Sequence, residues 1–135
     1  TKVVSGVGSG ALRWPLGSNA HVSCKWYCYG GHQGVDFVYN VNKNGPIYAA
    51  DRGVIDRVRY DWRNGYNVMI NHNNGMKTLY AHMVRFPPVS VGQKVEKGDF
   101  IGNVGSTGRS TGAHLHLGVY VDGVAKNPCN YLDGC

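Results

Sequence analysis

The sequence predicts a mainly β protein whose core is an antiparallel sheet. Three observations lead to this fold class. The 135-residue chain contains 20 glycines and nine tyrosines, its apolar residues recur in short alternating runs separated by turn residues, and no stretch keeps a helical period. The length suits one domain covering residues 1–135. A chain of this size buries enough surface to form a core without additional cross-links.

The first elements in chain order are a lead-in and a hairpin. Residues Thr1 to Ala11 are small, polar and rich in glycine, so we expect a flexible lead-in. Asn74 and Gly75 predict a hairpin turn, because such turns require positive φ. We expect His72, beside this turn, to be exposed to solvent. The strands predicted around the turn are Val54–Tyr60, Tyr66–Asn71 and Lys77–His82.

The second half of the chain continues with short strands after Pro87 and Pro88, which end the hairpin. The pattern predicts a short strand and turn over Val91–Gly98, a strand over Asp99–Val104, a Gly/Ser/Thr loop over Gly105–Gly112 and a last strand over Ala113–Val121.

The charge balance indicates an anionic partner. Fourteen Lys and Arg against eight Asp and Glu give a net charge of +6, and a basic surface attracts polyanions. No recognisable nucleic-acid module is present, so we expect no nucleic-acid partner and attribute the charge to general attraction toward a surface such as the bacterial cell wall. No apolar run is long enough to span a bilayer. We expect a monomer.

The four cysteines indicate disulfides and an oxidising compartment. They permit three connectivities, of which we favour Cys24–Cys28 and Cys129–Cys135 because both pairs are local. The sequence has no initiator Met and no signal peptide, so we interpret Thr1 as the start of a processed or excised segment.

Two histidines in the last strand are the first candidates for chemistry. Successive side chains of a strand alternate between its faces. His114 and His116 therefore project on one side, while Leu115 and Leu117 project on the other. Two imidazoles backed by leucines form a platform for a metal, although two solvent-exposed histidines would give the same pattern.

His32 and Asp36 form a second cluster. Four residues apart, they share a side in either an extended or a helical segment, and Gly34 with the flanking Val35 and Phe37 favours the extended form. An unpaired carboxylate between apolar residues is costly, whereas imidazole and carboxylate together are normal zinc ligands.

His82 is the third candidate. Alternation places it on one face of its strand with Thr78 and Tyr80, away from Leu79. The chain has a single glutamate, Glu96, and no His-Glu-x-x-His motif, so a histidine is the available base for a zinc-activated water. Three protein ligands plus water is the open pattern of catalytic zinc sites, and the water then has a pKa of about 7.

The motifs together resemble the lysostaphin-type zinc metalloendopeptidases. The resemblance is carried, in order, by the His32-x-x-x-Asp36 motif, the Leu79–Met83 stretch and the Gly105–His116 stretch, and extends from about Trp14 to Val121. It implies an antiparallel β-sheet core with a groove walled by loops, one zinc ion per chain and hydrolysis of bacterial peptidoglycan, in cross-bridges or stem peptides.

The resemblance also assigns roles that the strand argument leaves open. It makes His32, Asp36 and His116 the zinc ligands, His114 the general base and His82 a residue that helps to stabilise the developing oxyanion. The segment from Cys24 to Cys28 departs from the family pattern. No wall-binding module is present, so we expect a larger modular lysin or phage tail protein, acting outside the cell at the wall or on a virion.

Alternative readings remain. His21, Cys24, Cys28 and His32 could form a structural zinc site, and Arg109 could contact a substrate carboxylate or simply solvate its loop. The same fold could serve as a non-catalytic wall-binding or activator module, but all five family positions are filled. A lipoyl-type carrier would need a lysine in a Met-Lys-Met-like turn, which is missing.

Overall fold

The computed structural model describes residues 7–110, 112–133 and 135. Within these ranges the chain forms β-strands and one short 3-10 helix. In chain order the elements are β1 (Ala20–Cys24), β2 (Val35–Tyr39), β3 (Pro46–Tyr48), β4 (Gly53–Asp61), β5 (Gly65–Asn71), β6 (Met76–Met83), β7 (Lys94–Val95), β8 (Phe100–Asn103), β9 (Leu115–Val121), β10 (Val124–Lys126) and the 3-10 helix Pro128–Asn130. No helix of the described ranges has the length and apolar composition needed to cross a bilayer.

The architecture confirms the predicted antiparallel β fold. Eight strands form one sheet in the order β1-β2-β9-β6-β5-β4-β7, with β10 paired to β9, while β3 and β8 form a separate two-stranded sheet. All of these pairs are antiparallel. Strand β9 lies between β2 and β6, so segments that are far apart in sequence meet in the middle of the sheet.

The predicted hairpin is found, but its turn differs from the prediction in detail. Strands β4, β5 and β6 cover the three predicted runs and pair consecutively. Positive φ occurs at Asn73 (57°) and Gly75 (87°), whereas Asn74 does not share it. His72 N–H donates to the carbonyl of Met76, so the turn contains the three residues 73–75 rather than two. The first left-handed residue is therefore Asn73, one position before Asn74.

Four short strands, β1, β2, β3 and β10, were not assigned from the sequence, although an extended form was favoured around Val35 and Phe37. Strand β2 is buried along almost its whole length, so it lacks polar and apolar alternation. Strands β3 and β10 have only three residues each, which is too short for a period to be recognised. Strand β1 was not predicted either, although its burial does alternate.

The core lies on one face of the large sheet. Strand β9 directs Leu115, Leu117 and Val119 into it, each at most 1% exposed, and the residues of the small sheet join the same apolar cluster. Each fully buried leucine contributes roughly 1.5–3 kcal/mol relative to an exposed one. The opposite face of β9 therefore stays available for polar side chains.

The described part of the predicted lead-in is hydrogen bonded to the domain. Gly8 N–H donates to the carbonyl of His72 (2.7 Å), and Gly10 N–H donates to the carboxylate of Asp51 (3.1 Å). Ser9 Oγ also donates to Asp51. Residues 1–6 of the lead-in lie outside the described residues.

The cysteines are paired as favoured from the sequence. One disulfide joins Cys24 to Cys28 and the other joins Cys129 to Cys135. The second disulfide starts within the 3-10 helix, and Trp14 Nε1–H donates to the carbonyl of Asp133 (2.6 Å).

His72 is not exposed, and the sequence-based expectation for it is wrong. Its side chain, directly after the end of β5, is fully buried. Its Nδ1 donates to the carbonyl of Arg52 (2.8 Å), and its Nε2 lies 2.9 Å from Thr78 Oγ1. Burial lowers the pKa of His72 below its usual 6.5, and the Arg52 carbonyl only partly offsets this effect. The folded protein therefore keeps this imidazole neutral.

A pH dependence of stability follows from the buried imidazole. The unfolded chain takes up a proton at His72 near pH 6.5 and the folded protein does so only at lower pH, so stability falls as the pH drops through this window. We expect the free energy of unfolding, measured in urea from pH 8 to pH 5, to decrease more steeply in the native protein than in a His72→Gln variant. Parallel curves for the two proteins would contradict the assignment.

Candidate metal centre

The centre of the site is a cross-strand pair on the outer face of the sheet. Asp36 on β2 lies directly opposite His116 on β9. Their strand neighbours Val35, Phe37 and Leu117 are buried in the core, so alternation directs Asp36 and His116 to the other face. The predicted separation of His116 from the leucines of its strand is therefore found.

His32 completes a cluster of three possible ligands. It lies in the loop before β2 and is 2% exposed. Its Nε2 lies 3.0 Å from Asp36 Oδ1, and His116 Nδ1 lies 3.0 Å from the same oxygen. One ligand atom from each of the three side chains falls within 4.8 Å of the others. Two imidazole nitrogens and a carboxylate oxygen are a donor set that suits zinc.

The tautomer of His32 makes this cluster suited to a cation. The Lys25 carbonyl, 2.9 Å away, can only accept a hydrogen bond, so His32 Nδ1 carries the hydrogen. In the neutral imidazole Nε2 is then an acceptor, and it faces another acceptor, the Asp36 carboxylate. Such a contact is favourable only with a proton or a metal ion between the two atoms. The donor set therefore fits a metal.

The charge state of Asp36 agrees with this. Burial opposes ionisation of its carboxyl group, but the hydrogen bond from His116 and the charge of the His116 and His114 imidazoles hold its pKa below the usual value. Asp36 is thus a carboxylate at neutral pH, as a ligand must be.

Gly34 is a site residue whose importance was not apparent from the sequence. A Cβ atom at this position would lie 2.6 Å from the carbonyl oxygen of Leu117 and 2.7 Å from His116 Nε2. Only glycine allows the backbone before β2 to approach β9 this closely. The available signal was its place between His32 and Asp36.

His82 joins the site by a route that alternation did not predict. Thr78 and Tyr80 are buried on one face of β6, but His82 has φ of 67° and its ring turns to the opposite face, into the groove lining. Its ring centroid lies 4.7 Å from that of His114 and 6.3 Å from that of His116. The prediction that His82 shares a face with Thr78 and Tyr80 is therefore wrong, because the left-handed backbone breaks the period.

Neighbouring loops hold His82 in this conformation. Its backbone N–H donates to the carbonyl of Asn64, and its Nδ1 donates to the carbonyl of Thr107, and both distances are 2.7 Å. Left-handed backbone at a residue other than glycine costs about 1–3 kcal/mol and is often found at functional sites. Burial, together with the neighbouring imidazoles, lowers the pKa of His82, so its ring is mainly neutral at neutral pH.

His114 is oriented in a similar way. Its Nδ1 donates to the carbonyl of Gly112 (2.8 Å), and its Nε2 lies 3.8 Å from Asp36 Oδ2. Because a carbonyl only accepts, Nε2 of neutral His114 holds a lone pair. His82 and His114 therefore both present an unprotonated Nε2 when they are neutral.

Loops wall a groove of about 370 Å³ at this site. The wall includes Tyr29 in the loop before β2, Arg63 in the β4–β5 loop and Arg109 in the loop before β9, with Leu79 and Tyr120 among the sheet residues that line it. Arg109 N–H donates to the carbonyl of Arg63 (3.1 Å), which joins two of these loops. The predicted loop-walled groove is thus present.

The alternative zinc site around the cysteines is incomplete. Cys24, Cys28 and His32 are close enough to share an ion, but His21 Nδ1 lies against Asn40 Oδ1 instead. The two sulfur atoms are joined in a disulfide, which leaves no thiolate to bind zinc.

Comparison with known proteins agrees with the fold. Residues 30–128 match the model of peptidase family M23, and the chain belongs to this family. It is 43% identical over 97 residues to the peptidoglycan DD-endopeptidase ShyC of Vibrio cholerae, an alignment that covers 72% of the chain and 22% of ShyC. The chain thus spans less than a quarter of the length of that relative.

Two solved structures share the architecture. A zinc-containing peptidase from Vibrio cholerae superposes with a TM-score of 0.76 at 30% identity, covering 87% of this chain and 39% of that one. The antimicrobial peptidase lysostaphin from Staphylococcus simulans gives a TM-score of 0.72 at 30% identity, covering 84% and 49%. The resemblance and the fold class inferred from the sequence are therefore confirmed, and the family implies a metal centre.

Proposed function

We propose that this chain is a zinc-dependent endopeptidase domain that hydrolyses peptide bonds of bacterial peptidoglycan, in cross-bridges or stem peptides. The observation that carries the proposal is the convergence of two histidines and an aspartate on one point, with His82 in the same groove and the His114 ring next to His82. Membership of family M23 and the similarity to ShyC support the reaction class and the substrate.

His32, Asp36 and His116 would hold one zinc ion per chain, through His32 Nε2, an Asp36 carboxylate oxygen and His116 Nδ1. Ligand atoms of a tetrahedral zinc site are separated by roughly 3.3 Å, given bond lengths of about 2.0–2.1 Å. The 3.0 Å distances to Asp36 Oδ1 are close to this spacing. Bound zinc supplies Lewis acidity toward water and a peptide carbonyl.

His114 would act as the general base. Its Nε2 faces the ligand cluster from 3.8 Å and its Nδ1–H is held by the Gly112 carbonyl, so the lone pair that accepts the proton is aimed at the reaction centre. The proton taken up at Nε2 can then be passed to the leaving amine.

His82 would stabilise the developing oxyanion only after it has gained a proton. Its Nδ1–H is engaged by the Thr107 carbonyl, so in the neutral ring Nε2 accepts rather than donates. Protonation at Nε2 turns this atom into a donor. The His82 and His114 rings lie close together, so a proton taken up in the reaction can be held by either imidazole.

The groove suits a peptide with small residues and negative charge. Gly30 and Gly31 line the groove without side chains, and Arg63 and Arg109 line it as well. Guanidinium groups bind carboxylates well. We therefore propose the bacterial wall as the partner, with action outside the cell or on a virion. We also propose that the chain is a monomeric domain of a longer modular protein and that it binds no nucleic acid.

Mass spectrometry of fragments released from purified peptidoglycan tests this function. The zinc-loaded protein should release peptides whose new termini name the scissile bond, either a glycine cross-bridge or a bond with D-alanine. Protein treated with a chelator should release none until zinc is restored. Absence of fragments from every wall tested would refute the peptidase and favour a wall-binding module.

A further inference from the structure

The Cys24–Cys28 segment wraps around one candidate ligand without belonging to the donor set. Cys24 ends β1 directly opposite Asp36 on β2, and Cys28 lies four residues before His32. Both sulfur atoms lie beside the imidazole, 3.6 and 3.7 Å from His32 Nδ1. The disulfide thus closes a small ring next to two of the three candidate ligands.

The ring places a single carbonyl against His32. The Lys25 carbonyl accepts hydrogen bonds from Cys28 N–H (3.0 Å) and from His32 Nδ1 (2.9 Å). Two more backbone bonds close the loop, from Tyr27 N–H to the His32 carbonyl (2.8 Å) and from His32 N–H to the Tyr29 carbonyl (3.2 Å). These bonds join His32 to the disulfide ring through its backbone and its side chain.

The other side-chain contacts in this loop include an exposed hydrogen bond from Gln33 Nε2 to Tyr27 Oη (3.1 Å) and a ring contact between Trp26 and Tyr27. Lys25, Cys28 and the residues from 29 to 31 are exposed, and Tyr27 has a left-handed φ of 55°. The Tyr29 ring stacks on His32 at 4.5 Å but is itself 59% exposed. Without core packing, a loop of this kind samples many conformations unless a covalent link restricts it.

We propose that the Cys24–Cys28 disulfide is a positioning device for the metal centre. By fixing the Lys25 carbonyl, it keeps the hydrogen of His32 on Nδ1 and leaves the Nε2 lone pair directed at Asp36. Partners that orient a ligating histidine change metal affinity about 10- to 100-fold when they are removed. The inference rests on the proposed role of His32 as a ligand.

The test compares two double variants, because the chain contains a matched second disulfide. Cys24→Ala/Cys28→Ala removes the ring beside His32, and Cys129→Ala/Cys135→Ala removes the one that starts within the 3-10 helix. Alanine is used because it offers no donor atom to zinc. Competition with a chromophoric chelator should show zinc affinity about 10- to 100-fold weaker in the first variant and within threefold of the native protein in the second. Equal loss in both variants would overturn the proposal, since it would reflect general destabilisation.

A second readout needs neither zinc nor activity. Long-range ¹H–¹⁵N correlation spectra of metal-free protein at pH 8 report, for each histidine, which ring nitrogens carry a hydrogen. His32 should be protonated at Nδ1 in the native protein and in the Cys129/Cys135 variant, and should become a mixture of tautomers in the Cys24/Cys28 variant.

An Nε2–H tautomer in the native protein would refute the proposal even if the variant failed to fold. Unchanged tautomer and zinc affinity in a folded Cys24/Cys28 variant would refute it as well. A protein that passes both tests but hydrolyses no peptidoglycan would leave the positioning role intact and refute the proposed peptidase function, so the two failures are distinguishable.

Discussion

Replacing Asp36 with alanine is expected to weaken zinc binding severely and to abolish hydrolysis. Its Oδ1 is the atom that both His32 Nε2 and His116 Nδ1 approach to 3.0 Å, and it brings the only negative charge among the three candidate ligands. Zinc binds a complete structural site with about 10–16 kcal/mol of free energy, and each ligand contributes part of this total. Loss of one ligand should therefore lower zinc affinity on the order of 100- to 1000-fold. Metal analysis after dialysis in zinc-buffered solution measures the loss.

Asp51→Ala is the matched control for this variant. Asp51 is also buried, at 1% exposed, but its carboxylate binds Ser9 and the backbone of Gly10 and Arg52 rather than the site. We expect it to lower the unfolding temperature while one zinc per chain is retained. An Asp36→Ala protein that binds zinc with native affinity would rule out the proposed ligand set.

The second large effect is expected for His114→Ala, which should lose activity while keeping its metal. In the proposed mechanism the side chain accepts a proton at Nε2, but it contributes no atom to the three-ligand cluster. General-base catalysis is worth about 10²–10⁴ in rate, so kcat should fall by that factor with zinc content unchanged. Steady-state hydrolysis of a soluble wall peptide, paired with metal analysis of the same sample, measures both quantities.

His21→Ala serves as the comparison, since His21 is an exposed histidine hydrogen bonded to Asn40, outside the groove lining. It should keep native kcat and native zinc content. If His114→Ala stays within threefold of the native rate, a different group acts as the base, and His82 becomes the next residue to test.

The parts of the fold that could be predicted from the sequence are those with local signals. Strands β4 to β6 follow β-prone runs, the Asn-Gly turn marks the hairpin of β5 and β6, and β9 carries its leucines at every second position. An extended form was favoured near Val35 and Phe37, but the bounds of β2 were not predicted because burial of both its faces removes alternation. Its position beside β9 is a matter of long-range pairing that no short window contains.

The candidate site divides along the same line. The side of β9 on which His116 lies followed from alternation, but the turn of His82 did not, because a left-handed residue within a strand carries no pattern of its own. The carbonyls of Lys25, Thr107 and Gly112 orient three imidazoles, yet every residue has a carbonyl. Backbone partners of this kind become visible only when the chain is folded.

The left-handed conformation of His82 has a consequence for engineering this domain. Glycine accepts such a φ without steric cost, and asparagine accepts it more readily than histidine. A library screened only for thermal tolerance would therefore enrich glycine or asparagine at position 82 and discard the imidazole. Selection for heat resistance and selection for catalytic turnover should favour different amino acids at position 82. Directed evolution of a more thermostable variant should therefore keep histidine at this position.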